Sequence, residues 1–119
     1  MERCRDVKLR IGYIRDMLRD TTLEPLASDQ VRRAAFERFL EIVSEASRHI
    51  PAEWQQTFGS NINWRQLIDL GNIIRHVYQR ADLAMLWGMY EVDLDPLEAA
   101  IDAMIAAHAP IPRPPPRSP

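Results

Sequence analysis

Cysteine is almost missing from this chain: Cys4 is the only one among 119 residues. A lone thiol excludes an internal disulfide framework and any zinc or iron–sulfur site built from several cysteines. It fits a reducing compartment. Glycine is sparse as well, with four isolated residues, so no glycine-rich loop is present to cradle a phosphate. No apolar run approaches the ~20 residues needed to span a bilayer. The opening Met1-Glu2-Arg3-Cys4-Arg5-Asp6 is charged rather than signal-like, so a cytoplasmic location and no membrane partner are expected. Lysine is lacking too: Lys8 stands alone and all other basic residues are arginine, a bias that a GC-rich genome explains. The formal net charge of -2 argues against nucleic-acid binding by bulk charge. From Ala81 to Ala109 there is no lysine or arginine, while Asp82, Glu91, Asp93, Asp95, Glu98 and Asp102 are all acidic. Any polyanion must avoid that segment. No window shows the two-residue alternation of a half-buried strand.

The length is that of a single domain, enough to bury roughly two thirds of the unfolded surface in one core. Prolines concentrate in residues 110–119, which cannot form helix or a central strand; this predicts a Pro-rich disordered tail after a helical domain over 1–109. Within the domain the apolar pattern is helical. Cys4, Val7, Ile11, Ile14 and Leu18 form a stripe over 3–20. Thr21, Thr22, Pro25 and Ser28 mark a break. Asp29 or Ser28 caps a second helix over about 29–50, with Val31, Ala35, Phe39, Ile42, Ala46 and Ile50 facing one way and Phe36, Leu40 and Val43 widening the stripe. Pro51 stops it, and 51–62 reads as a connecting segment. Asn63 caps a third helix over about 64–80. Asp82 caps a fourth, with Leu83, Leu86, Trp87, Tyr90, Leu94, Leu97, Ile101 and Met104 on one side. Pro96 demands a kink there, or a restart with Asp95 as cap and Pro96 at the first helical position. The expected fold is all-α, an antiparallel four- to five-helix bundle.

The third helix carries the candidate chemistry. At about 100° per residue, Leu67, Leu70, Ile73, Ile74 and Val77 share the core face. Asp69, Asn72, Arg75, His76, Gln79 and Arg80 share the opposite one, and Tyr78 lies at the border. His76 therefore points away from the core, among amide and guanidinium donors. As a plain surface residue it would do nothing. As a reactive one, its pKa near 6.5 suits proton transfer at neutral pH. Guanidiniums beside it would stabilise a phosphate or the charge developing on it. Metal binding is not expected, because no second histidine lies at i+3 or i+4 and His49 and His108 are remote; no cofactor is expected either. Cys4 reads as an inert buried thiol. Glu37, Glu41 and Glu45 read as a solvated face, and Trp54, Trp64 and Trp87 as packing residues.

Three stretches carry a resemblance: Arg3-Cys4-Arg5-Asp6 through Asp16-Met17-Leu18, Ala35-Phe36-Glu37-Arg38-Phe39-Leu40-Glu41-Ile42-Val43-Ser44-Glu45-Ala46, and above all Ile62 through Tyr78, with Gly71-Asn72-Ile73-Ile74-Arg75-His76-Val77-Tyr78 at its end. Over about 2–107 they resemble the HEPN superfamily, specifically its HepT-like prokaryotic group. The resemblance implies a metal-independent endoribonuclease toxin, active on RNA as a homodimer, whose partner is a nucleotidyltransferase antitoxin that adenylylates the motif tyrosine. Asn72, His76 and Tyr78 match that motif. Its arginine position is held by Gly71. Arg75 or Arg80 is then the replacement guanidinium, or the chain is a catalytically decayed domain that binds the nucleotidyltransferase or a nucleotide without cutting RNA.

Overall fold

A computed structural model describes residues 1–76 and 80–109, without the side chains of residues 75–82. Among the described residues there are seven helices and no strand: α1 (Glu2–Leu18), α2 (Leu23–Ser28), α3 (Gln30–Arg48), α4 (Ala52–Phe58), α5 (Trp64–His76), α6 (Arg80–Val92) and α7 (Leu94–His108). The described residues form an all-α bundle, five long helices with two short ones at the joints. The tail expected at 110–119 lies outside the described residues. No described helix is long and apolar enough to cross a membrane.

α1 buries the stripe its spacing predicts, with Cys4, Val7, Ile11, Ile14 and Leu18 all inaccessible. It packs between α3 and α7, and α3 packs in turn on α5. On α3 the core lies toward one edge of the expected stripe, with Ala46 and Ile50 buried as expected. Phe36, Leu40, Val43 and Ser47 form the buried centre, Ala35, Phe39 and Ile42 are only half-buried, and Val31 is 80% exposed. The stripe is wide enough that either edge fits a periodic pattern; α1, α2 and α5 packing on α3 select the edge nearer Phe36. Burying each large side chain contributes about 1.5–3 kcal/mol.

The joints account for the two unexpected helices. Pro25 is the third residue of α2, where its missing N–H breaks no helical bond, and Leu26 is fully buried. In the segment expected to be a plain connector, Trp54 and Phe58 stand one turn apart on α4. Trp54 stacks on His108 of α7 at 3.6 Å between ring centroids, and Phe58 meets the same imidazole edge-on at 5.8 Å. Gln55 Nε2 also donates to the Ser47 and Ile50 carbonyls at 3.1 and 3.2 Å, satisfying the end of α3. Tertiary contacts thus make a helix of a sequence with little periodicity of its own. Gly59 follows it, where a Cβ would stand 2.7 Å from Trp64 Cζ2, and Trp64 Nε1 donates to the Gly59 carbonyl at 2.8 Å.

Asp29 and Asn63 cap as expected, accepting from the amides of Arg32 at 3.1 Å and Gln66 at 3.0 Å. The break before Pro96 is a restart, but earlier than expected. Asp93 is the N-cap and Pro96 the third residue of α7, again within the first turn where its missing N–H is tolerated.

Candidate cleft over helix α5

Helix α5 is anchored on one side and open on the other. Leu67, Leu70 and Ile74 are buried against the core, as their spacing requires, while Ile73 is only half-buried. Asp69 and Asn72 are exposed, also as expected. Ile68 is half-buried.

The anchor is a residue that spacing arguments did not single out. Ser44 of α3 is 2% exposed, and its hydroxyl bonds twice to the backbone of α5. Oγ donates to the Ile68 carbonyl at 2.8 Å and accepts from the Gly71 amide at 3.1 Å. Position 71 is therefore pressed against α3 in a buried place, and the absence of a side chain there accompanies the close approach of the two helices. The signal was present in the sequence: Ser44 and Ser47 are small polar residues on the apolar side of α3, and Gly71 is a glycine inside a helix.

Next to this contact lies an open cleft of about 480 Å³ between the start of α1, the outer side of α3 and α5. Gly71, Asn72, Asp69 and Ile68 contribute from α5, Arg3 and Asp6 from α1, and Arg38, Glu41, Glu45 and Arg48 from α3. Within it Arg38 pairs with Glu41 at 2.8 Å, and Glu45 with His49 Nε2 at 3.2 Å. The glutamate row is thus not simply solvated. Glu41 and Glu45 line the cleft, and burial pushes the Glu37 carboxyl above its usual range although Arg33 lies beside it.

Of the residues singled out from the sequence, the structure places Asn72 at this cleft. The described part of α5 runs through the backbone of Arg75 and His76, and that of α6 begins at Arg80. The side chains of Arg75, His76 and Arg80, the cap Asp82, and Tyr78 altogether, lie outside the described residues. So does the expected continuation of one helix through 77–79.

The remaining reactive groups are structural. Cys4 is buried with its sulfur 3.8 Å from the Met104 thioether, and burial raises its thiol pKa, which disfavours a nucleophilic thiolate. His108 Nδ1 lies 2.9 Å from the Met104 carbonyl under the Trp54 ring. Among the described residues no three His, Cys, Asp or Glu side chains gather as a metal-binding group.

Comparison with known proteins gives the following. The model of the family described as ribonuclease HepT-like matches residues 7–104. A protein of Methanocaldococcus jannaschii, provisionally named RNase MJ1380, is 28% identical over 87 residues, covering 73% of this chain and 79% of that protein. A protein of Thermococcus cleftensis named as a probable ribonuclease HepT is 26% identical over 99 residues, 83% of this chain and 89% of the relative. A protein of Caldanaerobacter subterraneus, provisionally named RNase TTE0752, is 22% identical over 93 residues, 78% and 82% of the two chains. No solved structure matches.

Proposed function

The chain belongs to the ribonuclease HepT-like family, and from that membership we propose that it is a metal-independent endoribonuclease toxin, active as a homodimer and silenced by a nucleotidyltransferase partner. The observation that carries the reading is the family match across nearly all of α1 to α7. The exposed polar side of α5 at an open cleft supports it.

In this reading neutral His76 accepts the proton of a ribose 2′-hydroxyl. The 2′-oxygen attacks the adjacent phosphorus, and the bond to the 5′-oxygen breaks as the His76 imidazolium returns its proton to the leaving oxygen. Asn72 donates to a phosphate oxygen, and a guanidinium takes up the developing charge. Tyr78 is the acceptor for AMP. An adenylyl group there adds charge and bulk beside His76 and competes for the same guanidinium. The dimer is supported by Ile42 and Ile68, which remain half-covered along the cleft.

A second reading has its own observation. Position 71 offers no guanidinium, and losing one such preorganised donor costs about a hundred- to a thousand-fold in rate. A domain that binds the nucleotidyltransferase without cutting RNA is the alternative. Expression alone and beside the adjacent gene product separates the two. A toxin arrests growth alone and is relieved by its partner, with added AMP mass on the peptide containing Tyr78; a binding module arrests nothing. Light scattering at micromolar concentration checks the dimer, for which a monomeric mass is the contrary result.

A further inference from the structure

The cleft beside Gly71 holds two guanidiniums that form no ion pair among the described residues. Arg38 is engaged by Glu41. Glu45, the carboxylate one turn before Arg48, is engaged by His49 instead. Arg48 and Arg3 line the same cleft and form no ion pair with any described residue. They come from different helices, the end of α3 and the start of α1, and face the same stretch of α5. That stretch is fixed: Ser44 ties the backbone of Ile68 and Gly71 to α3, so the wall holding Asn72 keeps a set distance from the helix holding Arg48.

We propose that Arg48, assisted by Arg3, binds the phosphodiester of single-stranded RNA against Gly71 and Asn72, and so provides from α3 the guanidinium that position 71 of α5 does not carry. The inference rests on the ribonuclease reading and assigns the substrate-holding groups of that site. Asp6, Glu41, Glu45 and Asp69 line the cleft against Arg3, Arg38 and Arg48, so its formal charge is slightly negative and it does not hold a polyanion by bulk charge. Recognition of one phosphate by a planar, two-pronged donor works in such a setting, because the contact is local and directional. Its volume, about 480 Å³, is in the range of small-molecule sites. The acidic neighbours also make an opposite-sign prediction: removing the charge of Asp69 strengthens the same contact.

The test is fluorescence anisotropy of the full chain with a labelled, uncleavable 2′-O-methyl oligoribonucleotide, alongside cleavage of the matching unmodified RNA. Arg48→Gln and Arg3→Gln should each weaken binding about five- to tenfold at low salt. Each should also flatten the slope of log affinity against log salt by about 0.7, the value for one phosphate contact to a single strand. Arg48→Lys should keep the slope but bind less tightly than wild type. Asp69→Asn should bind more tightly. Circular dichroism checks that the variants fold. If wild type binds and cuts RNA while these variants match it in affinity and slope, the inference is wrong and the ribonuclease reading stands. If wild type binds with the predicted variant pattern but does not cut, the phosphate site stands and the ribonuclease reading falls. If wild type binds no RNA, both fail.

Discussion

Two seams of the bundle are held together in different ways. Where α1 meets α7, the interior is apolar, with Ile11, Ile14, Ile101 and Met104 fully buried, and the rim is ionic. Lys8 reaches Asp102 at 2.9 Å and Glu98 at 3.4 Å, and Arg15 reaches Asp95 at 2.6 Å and Glu98 at 3.4 Å. Where α3 meets α5, the interior contains a buried hydroxyl that bonds twice to the opposing backbone. The first seam depends on buried apolar area, to which its surface ion pairs add little. The second fixes one helix relative to the other at a single register, because a displaced Ser44 would leave buried donors and acceptors unmet. The register-fixing seam is the one that carries the candidate cleft.

The largest expected effect is at the apolar seam. Ile101→Ala should destabilise the protein by about 2–5 kcal/mol in a denaturant titration, since it leaves a cavity in a closed interior. Ser44→Ala should cost about 1–3 kcal/mol, leaving the Gly71 amide without one of its partners, and should lower RNA cleavage beyond what the lost stability explains. Ser47→Ala sharpens the comparison. That hydroxyl is equally buried but has no hydrogen-bond partner among the described residues, so its removal should be neutral or slightly stabilising under the same titration. An equal loss in both serine variants would contradict the special role of Ser44.

At the ionic rim the effects shrink. Lys8→Gln should cost under about 1 kcal/mol, and the cost should fade in high salt. The Asp102 hydrogen bond raises the Lys8 pKa above its ordinary 10.5. Its contribution is therefore fully present below pH 10.5 and lost as pH rises through the raised folded value. The melting-temperature gap between wild type and Lys8→Gln should be constant from pH 7 to 9 and close in strong alkali. The smallest effect is chemical: the Cys4 thiol should react with a disulfide reagent only as fast as the protein opens, and an immediate reaction would place it at the surface.

The apolar seam was legible in the sequence and the hydrogen-bonded one was not. Five residues at spacings of three and four located α1 and all five are buried, because burial of one helix face is what periodicity records. Asp29 and Asn63 were legible as caps for an equally local reason. On α3 the stripe was legible but its centre was not: Ala46 and Ile50 are buried as expected, while Phe36, Leu40 and Val43 at its edge lie deepest, since a stripe broad enough for several neighbours has no single centre. α4 was missed because its stability comes from His108, fifty residues along the chain, rather than from its own pattern. At the candidate site the sequence yielded Asn72 on an exposed side. It did not yield Ser44, Arg3 or Arg48, which reach α5 only through the packing of separate helices.

The central claim, that α5 carries a ribonuclease centre built around His76, is tested most directly by following cleavage of a single-stranded RNA in EDTA by wild type and by His76→Ala. The account predicts that wild type cuts with the chelator present and that the alanine variant, folded by circular dichroism, loses the activity by at least a hundredfold. Full activity without His76, or wild-type activity that vanishes in EDTA, would contradict it.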